Sequence, residues 1–90
     1  MEMNNVFLNI LPTLDLHGNT RDMVKVLIDD FIKDNIKLGN KKIVIVHGKG
    51  EWILKNETHH ILSKDKRVFN FYQDASNIGC TVVELKNKMC

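Results

Sequence analysis

The apolar positions of the chain alternate between a period of two and a helical period. Residues 13–17, Thr-Leu-Asp-Leu-His, alternate strictly, so Leu14 and Leu16 share one face and Thr13, Asp15 and His17 the other. This spacing predicts a strand whose leucines reach a core while Asp15 and His17 stand on the wet side. Met23, Val26, Leu27, Phe31 and Ile32 then recur at helical intervals, and Val24, Ile28 and Ile36 widen the stripe. Asn19 or Thr20 is placed to cap this helix, Asp22 suits its first turn, and Gly39 offers a stop. The β-branched run at 42–46 reads as a buried strand. Ile53, Leu54, Ile61 and Leu62 predict a second helix of about three turns. A bulky strand over residues 67–73 and a last one over 80–85, with a short turn region between them, should form an antiparallel pair.

The resulting order, β-α-β-α-β-β, is that of an α/β fold, specifically an α+β-like two-layer sandwich. It has a mixed four-stranded sheet with two helices on one face. The first two strands, joined through a helix, should run parallel with a right-handed crossover and end at one edge. With 90 residues, 43% of them hydrophobic and 27% charged, the chain fits one compact domain of modest stability. That domain is expected over residues 13–86, with 1–12 as an N-terminal extension and 87–90 as a short tail. Within the extension, residues 6–11 are apolar enough for an extra strand or packing arm, punctuated by Pro12.

A net charge of +2 and a pI near 8.6 tilt the chain slightly toward polyanionic partners. Cys80 and Cys90 offer neither a disulfide framework nor paired metal spacing, so a reducing, cytoplasmic setting is expected. No apolar run approaches membrane-spanning length, and no membrane association is expected. A monomer is the favoured state.

The chemistry gathers at two similar turns. Residues 13–18 end in His17-Gly18 and lead into a helical pattern; residues 42–50 end in His47-Gly48-Lys49-Gly50 and do the same. A strand, a glycine turn and a helix start aim backbone N–H groups and a positive dipole end at one point, which suits a phosphate. Lys49 adds a full charge there. On parallel strands His17 and His47 would stand at one carboxyl edge, where open α/β sheets bind ligands. His59 and His60, adjacent on a helix, diverge by roughly 100° and make no two-ligand metal face. They are expected to be solvated or partly buried.

Leu14-Asp-Leu-His-Gly-Asn-Thr20 and Val46-His-Gly-Lys-Gly50, with Leu54, Lys55 and the closing Gly79-Cys-Thr-Val-Val-Glu-Leu85, resemble the Smr (small MutS-related) domain family. The resemblance runs from about Leu14 to Leu85. It implies the same βαβαββ sandwich, binding of nucleic acid (RNA or branched DNA), contact with ribosomes in some members, and endonuclease activity in many. It places catalytic or binding roles on Asp15, His17, His47, Gly18, Gly48, Lys49 and Gly50. Where the family often has a further glycine and an arginine, this chain has Trp52 and Lys55; where it has glycines before Gly79, this chain has Ser76 and Asn77. Trp52 either stacks on an unpaired base or fills a gap beside the turn, packing being favoured; Lys55 keeps a charge without the bidentate fork of arginine.

Two routes to phosphodiester cleavage fit these residues. In one, His17 or His47 is the general base, Asp15 orients the imidazole and Lys49 stabilises the growing charge, with no cofactor required. In the other, Asp15 and a histidine hold a divalent ion such as magnesium. A single carboxylate is thin for magnesium, which favours the metal-independent route. The alternative is a catalytically inactive module that holds nucleic acid or a ribosome at the same pocket.

Overall fold

The structure, a computed structural model, describes residues 11–48, 52–74 and 77–86, and only the backbone of residues 77 and 78. Lys49, Gly50, Ser76, Cys90 and most of the N-terminal arm therefore lie outside the described residues. The elements are β1 (Thr13–Asp15), α1 (Arg21–Leu38), β2 (Lys42–Val46), α2 (Trp52–Lys64), β3 (Val68–Asp74) and β4 (Asn77–Leu85). Their order is the βαβαββ that the hydrophobic pattern predicts.

The strands form one mixed sheet in the order β1-β2-β4-β3. β1 lies parallel to β2, with Leu14 opposite Ile45 and Asp15 opposite Val46. β4 runs antiparallel to both β2 and β3. The first two strands are thus immediate neighbours, a point that the sequence leaves open.

β1 is shorter than the alternation suggests. The Asp15 carboxylate accepts the His17 amide at 2.9 Å, and Gly18 takes φ +84°, so the chain turns before His17 can extend the strand. Leu16 still donates its N–H to the Val46 carbonyl at 2.8 Å, and its side chain is fully buried. β4 begins earlier than expected, at Asn77, which pairs with Asp74.

Period-two burial in β2 separates the two faces of the sheet: Ile43 and Ile45 are buried, while Lys42, Val44 and Val46 are less so. Ile43 faces Val83 across the ladder and Ile45 faces Thr81. These inward residues join Leu16, Val24, Ile28, Ile32, Leu54, Leu62 and Leu85 in a single core beneath both helices. The helix stripe is rotated from the expected one. Val24, Ile28, Ile32 and Asn35 form the buried line of α1, whereas Met23 and Val26 are about half exposed. Spacings of four, four and three keep the line straight over the sheet, and a stripe through 23 and 26 would have turned away from it.

Polar contacts fix the ends. Gly39 stops α1 at φ +82°, and the Asn40 amide donates to the Asn35 carbonyl at 2.9 Å. Thr20 holds the N-cap position, but its hydroxyl makes no capping bond. Arg67 ties the turn after α2 to α1: its guanidinium donates to both Asp65 oxygens (2.9 and 2.7 Å) and to Asp29 at 2.7 Å. The hydrogen bond from Arg67 holds the Asp65 carboxyl below its usual range and raises the already high pKa of Arg67.

The Thr58 hydroxyl, fully buried in α2, has no hydrogen-bond partner among the described residues. A buried hydroxyl without a partner carries its desolvation cost uncompensated. Thr58→Val keeps the shape and removes the hydroxyl, and is expected to raise the unfolding free energy by about 1 kcal/mol. Urea titration of both proteins measures this; a destabilised variant would show that the hydroxyl is satisfied after all.

Candidate functional site

The two His-Gly turns sit side by side because their strands do. Asp15 pairs with Val46, so the next residues, Leu16-His17-Gly18 on one chain segment and His47-Gly48 on the other, leave the sheet at the same edge. The backbone convergence expected from the sequence is present. The two imidazoles differ in setting, His17 exposed and His47 buried.

His17 and Asp15 are exposed, joined through the His17 amide and the Asp15 carboxylate. Asp15 lies on the face of the sheet away from the helices, in line with Val46 and, through Val46, with Cys80. The buried Cys80 thiol has its pKa raised by desolvation and further by Asp74 and Asp15, which places both carboxylates near it.

His47 behaves differently. Its ring is fully buried, with Nε2 2.8 Å from the Thr81 hydroxyl and Nδ1 3.4 Å from the Gly48 carbonyl. It packs edge-on against His59, with ring centroids 6.0 Å apart. A ring with no exposed surface is not placed to take a proton from an incoming phosphodiester. The structure places His47, one of the two histidines expected as general base, as a buried imidazole. The reason lies in the parity of β2: residue 47 falls on the inward side with Ile43 and Ile45, and Thr81 gives its ring a partner there.

Gly48 serves the turn through its backbone conformation, at φ +93°. Both the His47 and the Gly48 amides donate to the Gly79 carbonyl, at 2.9 and 3.0 Å. The Gly48 N–H is thus committed within the turn. Gly18 takes a similar positive φ and is exposed.

Trp52 opens α2 and is 69% exposed, so it does not fill a gap beside the turn. Its ring lies 5.4 Å from the Lys55 ammonium, a cation–π contact that braces the indole while leaving it open to solvent. Lys55 is half-buried, and its charge helps to lower the pKa of both His47 and His59.

Thr81 escaped the sequence reading, and so did its link to His59, which is partly buried as expected. The Thr81 hydroxyl lies 2.8 Å from His47 Nε2 and 2.9 Å from His59 Nε2, and Phe71 of β3 packs against the His59 ring at 5.2 Å. The available signal was parity: Thr81 occupies an inward position of an otherwise apolar run, where a hydroxyl needs a partner.

The arrangement is a two-layer α/β sandwich with paired His-Gly turns at one sheet edge. Residues 14–86 match the Smr domain family, and the chain belongs to it. Among similar proteins are the endonuclease MutS2 of Halothermothrix orenii, 30% identical over 81 residues, and that of Thermotoga maritima, 37% identical over 76 residues. These alignments cover 87% and 81% of this chain but 10% of each relative, so the chain spans about a tenth of their length. The Smr domain of Thermus thermophilus MutS2 superposes with a TM-score of 0.81 at 29% identity, covering 84% of this chain and 99% of that one. YdaL, a stand-alone small MutS-related protein from Escherichia coli, has the same fold, with a TM-score of 0.81 at 18% identity over 93% of this chain and 73% of its own. No helix among the described residues is long and apolar enough to cross a membrane.

Burial lowers the pKa of both His47 and His59 from the ordinary 6.5, and each is lowered further by neighbouring positive charge. The unfolded chain then binds more protons than the folded one as pH falls below about 6.5. The stability these rings support is present above that pH and is lost as pH drops toward their folded values. Urea midpoints measured from pH 7.5 to 5 should fall steadily, and His47→Gln should flatten the slope. An unchanged slope would mean that the ring is not buried neutral.

Proposed function

We propose that this Smr domain binds nucleic acid at the edge where the two His-Gly turns meet and cleaves a phosphodiester there, with RNA or branched DNA as substrate class. The observation that carries the reading is the exposed Asp15–His17 turn, standing beside the His47–Gly48 turn. The MutS2 relatives, named endonucleases and matching over most of this chain, support it. His17 is the general base: its imidazole takes the proton from the attacking hydroxyl, which on RNA is the 2′-hydroxyl. On RNA the new O2′–P bond forms as the P–O5′ bond breaks, leaving a cyclic phosphate, and solvent gives the departing O5′ the proton that makes it a hydroxyl. On DNA, which has no 2′-hydroxyl, the attacking hydroxyl is that of water and the product keeps a terminal phosphate. Asp15, by accepting the His17 amide, sets where the imidazole stands. Lys49 and Gly50, next in sequence after the turn, are assigned to phosphate contact together with Gly18 and Lys55. Trp52 stacks on a base. A ribosome is a natural place for such a module to find RNA, and the cytoplasm its setting.

The commitment of the Gly48 amide and the burial of His47 favour a second reading, a module that only binds. One assay separates the two. Labelled RNA and branched DNA are incubated with the wild type, Asp15→Asn and His17→Ala, each with and without chelator. The expected result is cleavage by the wild type in chelator, a loss of about 10²–10⁴-fold in the His17 variant, and little change in binding. Wild-type protein that binds without cutting establishes the module reading, and cleavage abolished by chelator transfers the chemistry to a metal-activated water.

Trp52→Ala should weaken binding of a single strand by 1–3 kcal/mol, about five- to over a hundredfold in Kd. Fluorescence titration reads it directly, and unchanged affinity would remove Trp52 from the interface.

A further inference from the structure

We propose that Thr81 and His59 are positioning residues of this site, holding His47 in its Nδ1–H form and thereby fixing the His47–Gly48 turn. The proposal rests on the nuclease reading above. It follows from counting donors. A carbonyl oxygen only accepts, so His47 Nδ1, 3.4 Å from the Gly48 carbonyl, carries the ring proton. His47 Nε2 is then an acceptor, and the Thr81 hydroxyl 2.8 Å away donates to it. With its one proton spent, Thr81 accepts from His59 Nε2–H at 2.9 Å. The result is a directed chain, from His59 through Thr81 and His47 to the Gly48 carbonyl, with each donor used once.

The chain spans the domain's layers. His59 belongs to α2, Thr81 to β4 and His47 to the end of β2. Phe71 of β3 closes the outer side of His59. The neighbouring charges acting on the rings are Lys55 on α2 and, for His59, any charge on His47. A proton added to His47 would sit on Nε2 and aim N–H groups at Thr81 from both sides, and one added to either ring sets positive charge beside Lys55. The same turn hangs from Gly79, adjacent in β4 to the segment that carries Thr81. Displacing the His47 ring therefore displaces the backbone that faces the Asp15–His17 turn.

Two measurements decide the matter. Long-range ¹H–¹⁵N NMR of the free wild-type protein at pH 7.5 should show His47 protonated at Nδ1 and His59 at Nε2. The reverse assignment overturns the proposal whether or not the protein cuts. Single-turnover cleavage and Kd are then compared for the wild type, Thr81→Val, Thr81→Ser, His59→Leu and His59→Gln. Thr81→Val should slow cleavage by about a hundredfold at unchanged Kd, as expected of a misplaced turn. Thr81→Ser, which restores the hydroxyl, should recover most of it. If Thr81→Val does not fold, the His59 pair serves instead: His59→Leu slow, with His59→Gln, which keeps a donor, recovering. Variants that cut at the wild-type rate, or that lose cleavage and Kd together, overturn the positioning role. A wild-type protein that cuts nothing overturns the nuclease reading and this role with it, and the NMR assignment tells that failure apart from a wrong tautomer.

Discussion

The hydrogen bond from the Leu16 amide to the Val46 carbonyl closes the parallel pair of β1 and β2, and the whole candidate site is positioned from it. β1 is three residues long and lies at the edge of the sheet, so it has little else to fix its register. Leu16 supplies the rest: fully buried beyond the last ladder residue, it anchors the chain just before the His17 turn. A slip of one residue would carry Leu16 outward and bring Asp15 into the core, which the burial of a carboxylate forbids. The exposure of the Asp15–His17 pair thus follows from the burial of the leucine between them.

The second turn is held by polar contacts instead. Two amides share the Gly79 carbonyl, and the buried His47 ring is tied through Thr81 to His59. Such a network is costly in a small core unless every member is satisfied. Thr58, one residue before His59 and as fully buried as Thr81, shows the contrast, since its hydroxyl finds no partner among the described residues. An apolar replacement improves matters at Thr58. At Thr81 it strands two ring nitrogens.

Most of the fold was legible in the sequence because period alone determines which residues share a face. The βαβαββ order, the parallel pair and the closing hairpin all follow from it. The helix stripe came out rotated, since Met23 and Val26 are apolar residues on a surface that nothing among the described elements covers, and periodicity cannot tell a half-exposed valine from a buried one. At the site, the Asp15 and His17 placement was readable from alternation. His47 was not, although the same alternation puts it inward, because a histidine after a strand is equally at home on either side of a turn. Its burial depends on Thr81 and His59, residues distant in sequence whose approach only the fold brings about. Trp52 went the other way: large and aromatic, it reads as filling, yet it stands in solvent with Lys55 beneath it.

That exposure bears on how so weakly charged a domain could hold a polyanion. With a net charge of +2, long-range attraction is slight, and salt screens it over about 8–10 Å. Several of the cations are also spent internally: Arg67 on Asp29 and Asp65, Arg21 at 3.7 Å from Glu57, Lys42 at 3.9 Å from Glu84. Stacking does not depend on net charge, and one base on an aromatic ring contributes roughly 1–3 kcal/mol. On the function proposed above, Trp52 would select for unpaired bases, which present a free π-face, over a regular duplex, which does not. On the same proposal, single-stranded RNA or the junction of a branched DNA would offer such a base next to a backbone within reach of Asp15 and His17.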